Sequence, residues 1–212
     1  MDADLSCLIV GCGYVGSRLA RRESARRPLL ALVRSDRNAT DLQSAGVPAL
    51  RIDLDAAPDA ALQPALAAAA GQAAVVYLAP PPDSGTTDPR LATFLAQIEH
   101  VTPAVFVYIS TTGVYGDADG ALVDEFTPVA PSNDRSRRRV AAESIHVDDL
   151  VATIVAAVDR LSAQGIFNVT DGDYASTTTY LQLTAAAAGI EPPVLISKAE
   201  ALSKIPTGML TF

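Results

Sequence analysis

Gly11, Gly13 and Gly16 stand at the spacing Gly-x-Gly-x-x-Gly, directly after the apolar run Leu8-Ile9-Val10. Residues of that type at that spacing suit one task, bringing a phosphate close to backbone N–H groups. Gly11 permits a tight turn, Gly13 leaves room for a pyrophosphate beside the chain, and Gly16 lets the following helix pack closely on the strand. Tyr14 and Val15 complete the turn and open that helix, whose N-terminus brings unpaired amides and a partial positive charge. The same spacing also arises in ordinary strand-to-helix turns. Its meaning therefore depends on what the rest of the chain brings to the same place.

Further candidates lie at the ends of other apolar runs. Arg34 and Ser35 follow Leu29-Leu30-Ala31-Leu32-Val33. NAD-selective sites carry an acid at this point, which hydrogen-bonds the ribose hydroxyls and repels a 2′-phosphate. A guanidinium instead offers paired, charge-assisted hydrogen bonds to that phosphate, so NADP is expected in preference to NAD. Asp53 and Leu54 end a third run, placed to meet an adenine edge, although an aspartate there equally suits a turn or a helix cap. Leu78, Ala79 and Pro80 end a fourth run.

These residues meet only if the runs are neighbouring parallel strands. The pattern predicts helix 14–24, strand 29–33, strand 49–54, helix 58–70, strand 73–78, helix 90–100 and strand 104–110. Apolar strands joined by crossover helices form an α/β, doubly wound parallel sheet, the Rossmann fold, which binds ligands at the carboxyl ends of its strands. Every candidate above falls at such an end.

Composition narrows the function classes. The chain has 212 residues, 49 % of them hydrophobic, enough for a substantial core. A net charge of −8 argues against a nucleic-acid partner, which needs phosphate-neutralising Lys and Arg. Two cysteines, Cys7 and Cys12, are too few for a disulfide framework and suit a reducing, cytoplasmic setting. No apolar run reaches the roughly 20 residues that span a bilayer, so no membrane partner is expected.

Four blocks then occur in order: GCGYVG at 11–16, STTGVYG at 110–116, DEFTP at 124–128 and IHVDDL at 145–150. Together they resemble the short-chain dehydrogenase/reductase superfamily, in particular its extended and atypical epimerase/dehydratase-like branches. The resemblance implies that Thr111, four residues before Tyr115, is catalytic and polarises a substrate hydroxyl or carbonyl. It also implies that the Tyr-x-x-x-Lys pair of the family falls on Arg135 and Arg139. An arginine stays protonated at any useful pH and is no general base, so the family's proton relay is missing. Arg139 keeps the position from which the family's lysine meets the nicotinamide ribose, and is the second catalytic candidate. Thr112 and Gly113 replace the acid pair of the dehydratase branch, which argues against dehydration.

His146, Asp148 and Asp149 read as a capped helix start rather than as metal ligands, and no metal site is expected. A helix is predicted over 147–162, a strand over 165–170, a helix over 177–188 ended by Gly189, and an extended piece over 193–197. The division is a cofactor domain over 1–144 and a small carboxyl-terminal substrate region over 145–212. Between Ser144 and Ile145 the family carries a strand and a substrate loop. Their absence reflects either a lost segment or several dozen residues missing between the two. The bare strand edge that a loss would leave favours the second. Two functions are compatible with these residues: an NADP-dependent oxidoreductase or epimerase acting on a small or nucleotide-sugar-like substrate, and a non-catalytic NADP-binding sensor. Assembly into homodimers is left open.

Overall fold

The computed structural model describes residues 5–57, 63–110, 112–116, 118, 121–131, 146–160, 162, 164–170, 177–197, 200 and 203–204. Its elements are β1 (Cys7–Val10), α1 (Tyr14–Glu23), β2 (Leu29–Val33), α2 (Asp36–Ser44), β3 (Ala49–Arg51), α3 (Gln63–Ala70), β4 (Ala74–Tyr77), α4 (Pro89–Gln97) and β5 (Val105–Tyr108). A 3₁₀ turn (Thr112–Tyr115), α5 (Val147–Asp159) and α6 (Thr177–Ala188) follow.

The five strands are all parallel and lie in the order β3-β2-β1-β4-β5. β1 has β2 on one side and β4 on the other, so the winding reverses at β1. A crevice therefore opens beyond its carboxyl end. The inner strands β1, β2 and β4 are buried on both faces, which is why they read as unbroken apolar runs, whereas the edge strands β3 and β5 are only partly covered. Ile9, Ala31, Val33 and Val76 point to one face, where Leu19 and Ala20 of α1, Leu42 of α2, and Val151, Ile154, Val155 and Val158 of α5 cover them. Leu8, Val10, Leu32, Val75 and Tyr77 point to the other, under Leu66 and Ala70 of α3 and Phe94 of α4. α5 opens the segment 145–212, and it packs in the same core as β1.

Two expectations need correction. No strand forms over 165–170. The Asn168 N–H donates to Glu125 Oε1 at 2.7 Å, and the Tyr115 hydroxyl donates to Asn168 Oδ1 at 3.3 Å. Side-chain anchors thus replace a ladder. Glu125 belongs to a tight turn in which Asp124 Oδ1 accepts from the Phe126 N–H and the Thr127 hydroxyl. The third strand is also shorter than expected, because Asp53 folds the chain away: its carboxylate accepts from the Asp55 N–H at 3.0 Å. Helix α2 has no counterpart in the sequence reading, since only Ala39 and Leu42 of its nine residues are buried. His146 caps α5, its Nδ1 accepting from the Asp148 N–H at 3.3 Å. Thr111, Arg135, Arg139 and the junction at Ser144–Ile145 lie outside the described residues.

At the opposite end of the sheet from the crevice, a charge cluster ties three elements together. Arg27 pairs with Glu23 at 2.8 Å and with Asp159 at the end of α5, and Arg26 bridges the same two carboxylates at 2.9 and 3.2 Å. The hydrogen bond from Arg27 holds the Asp159 carboxyl below its usual range. A carboxyl depressed in the folded state stabilises the fold above its unfolded value of about 3.9, and that contribution is lost as pH falls through the folded value. Asp159→Asn is therefore expected to cost about 1 kcal/mol near pH 7, a modest figure because the pair is partly solvated. Urea midpoints of the two proteins should converge below about pH 4.

Candidate functional site

The crevice beyond β1 is a cleft of about 420 Å³. Its walls include Gly11, Gly13, Tyr14, Val15 and Gly16 from the glycine turn, Arg34 from β2, Asp53 and Leu54 after β3, and Leu78, Ala79 and Pro80 after β4. The residues singled out from sequence thus converge on one cleft, with three exceptions, Thr111, Arg139 and Ser35. Thr111 and Arg139 lie outside the described residues. Ser35 does not line the cleft but caps α2, accepting from the Asn38 N–H at 3.3 Å. By setting the start of α2 it fixes the turn that carries Arg34.

The three glycines have separable roles. Gly11 has φ +93°, and a Cβ there would stand 2.5 Å from the Ala79 nitrogen. A Cβ on Gly16 would stand 2.7 Å from the Gly11 carbonyl oxygen and 3.2 Å from a Leu78 methyl. Both positions are fixed by the protein's own packing. At Gly13 a Cβ would meet nothing within 4 Å. The fold does not demand a glycine there, so the missing side chain leaves space for something else.

That space faces a helix end ready for an anion. Gly13 is the N-cap of α1, no side chain caps the helix, and its first turn carries no acid. Unpaired N–H groups at such an end favour bound phosphate. Tyr14 stands exposed on the rim with the Arg18 guanidinium 3.9 Å from its ring centroid. Cys12 also lines the cleft but is buried, and burial pushes its thiol up to about 12. It forms wall and is no nucleophile at neutral pH.

Arg34 is three-quarters exposed and reaches over the cleft to Asp55, 3.6 Å away. Asp55 in turn holds Arg90 of α4 through two hydrogen bonds of 2.6 and 2.7 Å, and Arg90 donates to the Pro80 carbonyl at 2.9 Å. Those bonds hold the Asp55 carboxyl below its usual range. Sequence reasoning missed Asn38, Asp55 and Arg90. Asn38 lies four residues after Arg34 and would have followed from recognising α2. The Asp55–Arg90 pair joins positions 35 residues apart and leaves no local signal.

Fold and cleft define a Rossmann-type α/β protein. No family model and no curated protein matches the chain. Solved structures do. A conserved protein of unknown function from Silicibacter pomeroyi aligns over 96 % of this chain and 85 % of its own, with TM-score 0.75 and 20 % identity. A proposed NAD-dependent epimerase/dehydratase from Methylobacillus flagellatus aligns over 95 % and 92 %, with TM-score 0.68 and 23 % identity. The triphenylmethane reductase of a Citrobacter species, determined with NADP(H), aligns over 97 % and 86 %, with TM-score 0.56 and 14 % identity. At these identities the likeness is one of fold. It agrees with the resemblance to atypical short-chain dehydrogenases/reductases carried by the four sequence blocks.

No helix among the described residues is long and apolar enough to cross a membrane. Among the described residues no group of His, Cys, Asp and Glu is placed to hold a metal ion.

Proposed function

We propose that the chain binds NADP(H) and acts as an oxidoreductase or epimerase on a hydroxyl or carbonyl of a small or nucleotide-linked substrate. One observation carries the binding: the open space at Gly13, over an uncapped helix end, in the same cleft as Arg34. In this reading the amides of Tyr14, Val15 and Gly16 receive the pyrophosphate, the Gly13 N–H being held by the Gly11 carbonyl at 2.9 Å, and Gly11 and Gly16 keep the turn close against β4. Arg34 meets the 2′-phosphate, on a turn fixed by Ser35. Asp53 and Leu54 take the adenine on one side, and Leu78, Ala79 and Pro80 form the opposite wall. NADP(H), when bound, supplies or accepts the hydride. Thr111 donates a hydrogen bond to the substrate oxygen and Arg139 meets the nicotinamide ribose. Two buried thiols suit a cytoplasmic setting.

A second reading, a non-catalytic NADP-binding protein, is favoured by Arg135 and Arg139 where a proton relay would need Tyr and Lys. Fluorescence titration with NADPH, followed by a hydride-exchange assay over carbonyl and sugar-nucleotide substrates, separates the two. Catalysis is expected to show as exchange that Thr111→Val reduces by about 10²-fold or more. Tight NADPH binding with no exchange on any substrate would leave the second reading in place of the first.

A further inference from the structure

Arg34, Asp55 and Arg90 form a bridge across the mouth of the cleft, from the end of β2 through the loop after β3 to the start of α4. The bridge is unequal. Asp55 makes two short, aligned bonds to Arg90, whose side chain is 15 % exposed, but only a 3.6 Å ion pair to Arg34, whose side chain is 75 % exposed. The Arg90 side is held on a third point by the Pro80 carbonyl, while the guanidinium of Arg34 can exchange partners. Asp53, the other carboxylate of the cleft, is engaged with the Asp55 N–H, and Asp88 caps α4 through the Leu91 N–H.

Building on the NADP reading above, we infer that Asp55 is a specificity-determining residue that competes with the cofactor's 2′-phosphate for Arg34, and that Arg90 limits this competition. A phosphate held by Arg34 lies within a Debye length, about 8 Å, of the Asp55 carboxylate, so their repulsion is incompletely screened. NADH has no 2′-phosphate and does not meet that repulsion. Arg90 shares the Asp55 charge. Without Arg90, Asp55 would face Arg34 alone, holding it more firmly and repelling the phosphate more strongly.

The two partners therefore act on selectivity with opposite sign. Asp55→Asn keeps the shape and one acceptor oxygen and removes the charge. It is expected to tighten NADPH roughly three- to fivefold, the range of a partly exposed charge pair, and to leave NADH within about twofold. Arg90→Gln is expected to weaken NADPH by a similar factor relative to NADH. Loosening of the Pro80 loop would move both cofactors together, so the ratio of the two dissociation constants is the readout. It should be measured by fluorescence titration of wild type and both variants at fixed ionic strength. Opposite shifts of the ratio support the inference. A ratio within about twofold of wild type in Asp55→Asn, or shifts in the same direction in both variants, overturns it. Wild type that binds neither cofactor overturns the NADP reading and this inference with it, whereas wild type that binds NADPH with an unmoved ratio overturns this inference alone.

Discussion

Gly11→Ala is expected to lower the stability by about 3–5 kcal/mol, enough to leave much of the protein unfolded or insoluble on expression. Two effects add. At φ +93° an alanine pays for a backbone conformation that L side chains rarely adopt, at about 1–3 kcal/mol. Its methyl also stands 2.5 Å from the Ala79 nitrogen and 2.7 Å from the Ala79 Cα, both backbone atoms of the chain leaving β4. Relief would require β1 and β4 to part at their carboxyl ends, where Leu78 N–H donates to the Val10 carbonyl at 2.7 Å. The loss is measured as a lower urea midpoint without ligand, because it resides in the fold.

At Gly13 stability and binding are expected to move in opposite directions. Gly13→Ser places a favoured N-cap residue on an uncapped helix, so stability should hold or rise by a few tenths of a kcal/mol. The serine side chain would enter the space now open at Gly13, and its hydroxyl oxygen would accept from the N–H groups that a phosphate needs. NADPH binding is expected to weaken by about 10- to 100-fold, corresponding to roughly 1.4–2.8 kcal/mol. Thermal unfolding without ligand checks the first half and fluorescence titration the second. A parallel loss of both would mean that Gly13 serves the fold and that its open space has no occupant.

The contrast between these glycines shows what the sequence could and could not convey. Their spacing alone marks a turn between strand and helix. It does not say that Gly11 and Gly16 answer to Ala79 and Leu78 while Gly13 answers to nothing in the protein. The runs of β1, β2 and β4 were legible because burial on both faces leaves no polar residue to interrupt them, and 29–33 matches β2 end to end. α2 was not legible, because its nine residues are mostly polar and it buries only Ala39 and Leu42. The run at 165–170 read as a strand because Ile166, Phe167 and Val169 have strand propensity. That propensity could not show that Glu125 takes the Asn168 N–H. In the cleft, residues at strand ends could be placed in advance because the fold fixes where strands end. Asp55 and Arg90 could not, since their pairing comes from tertiary structure.

The most direct measurement is the pair of dissociation constants for NADPH and NADH, determined calorimetrically for wild type and for Arg34→Gln. The expected result is that wild type binds NADPH with one site per chain and prefers it to NADH by about tenfold or more, in keeping with charge-assisted bonds to a phosphate. Arg34→Gln should lose that preference while retaining its affinity for NADH. Wild type that binds neither nucleotide, or a preference that survives the loss of Arg34, would contradict the assignment of this cleft.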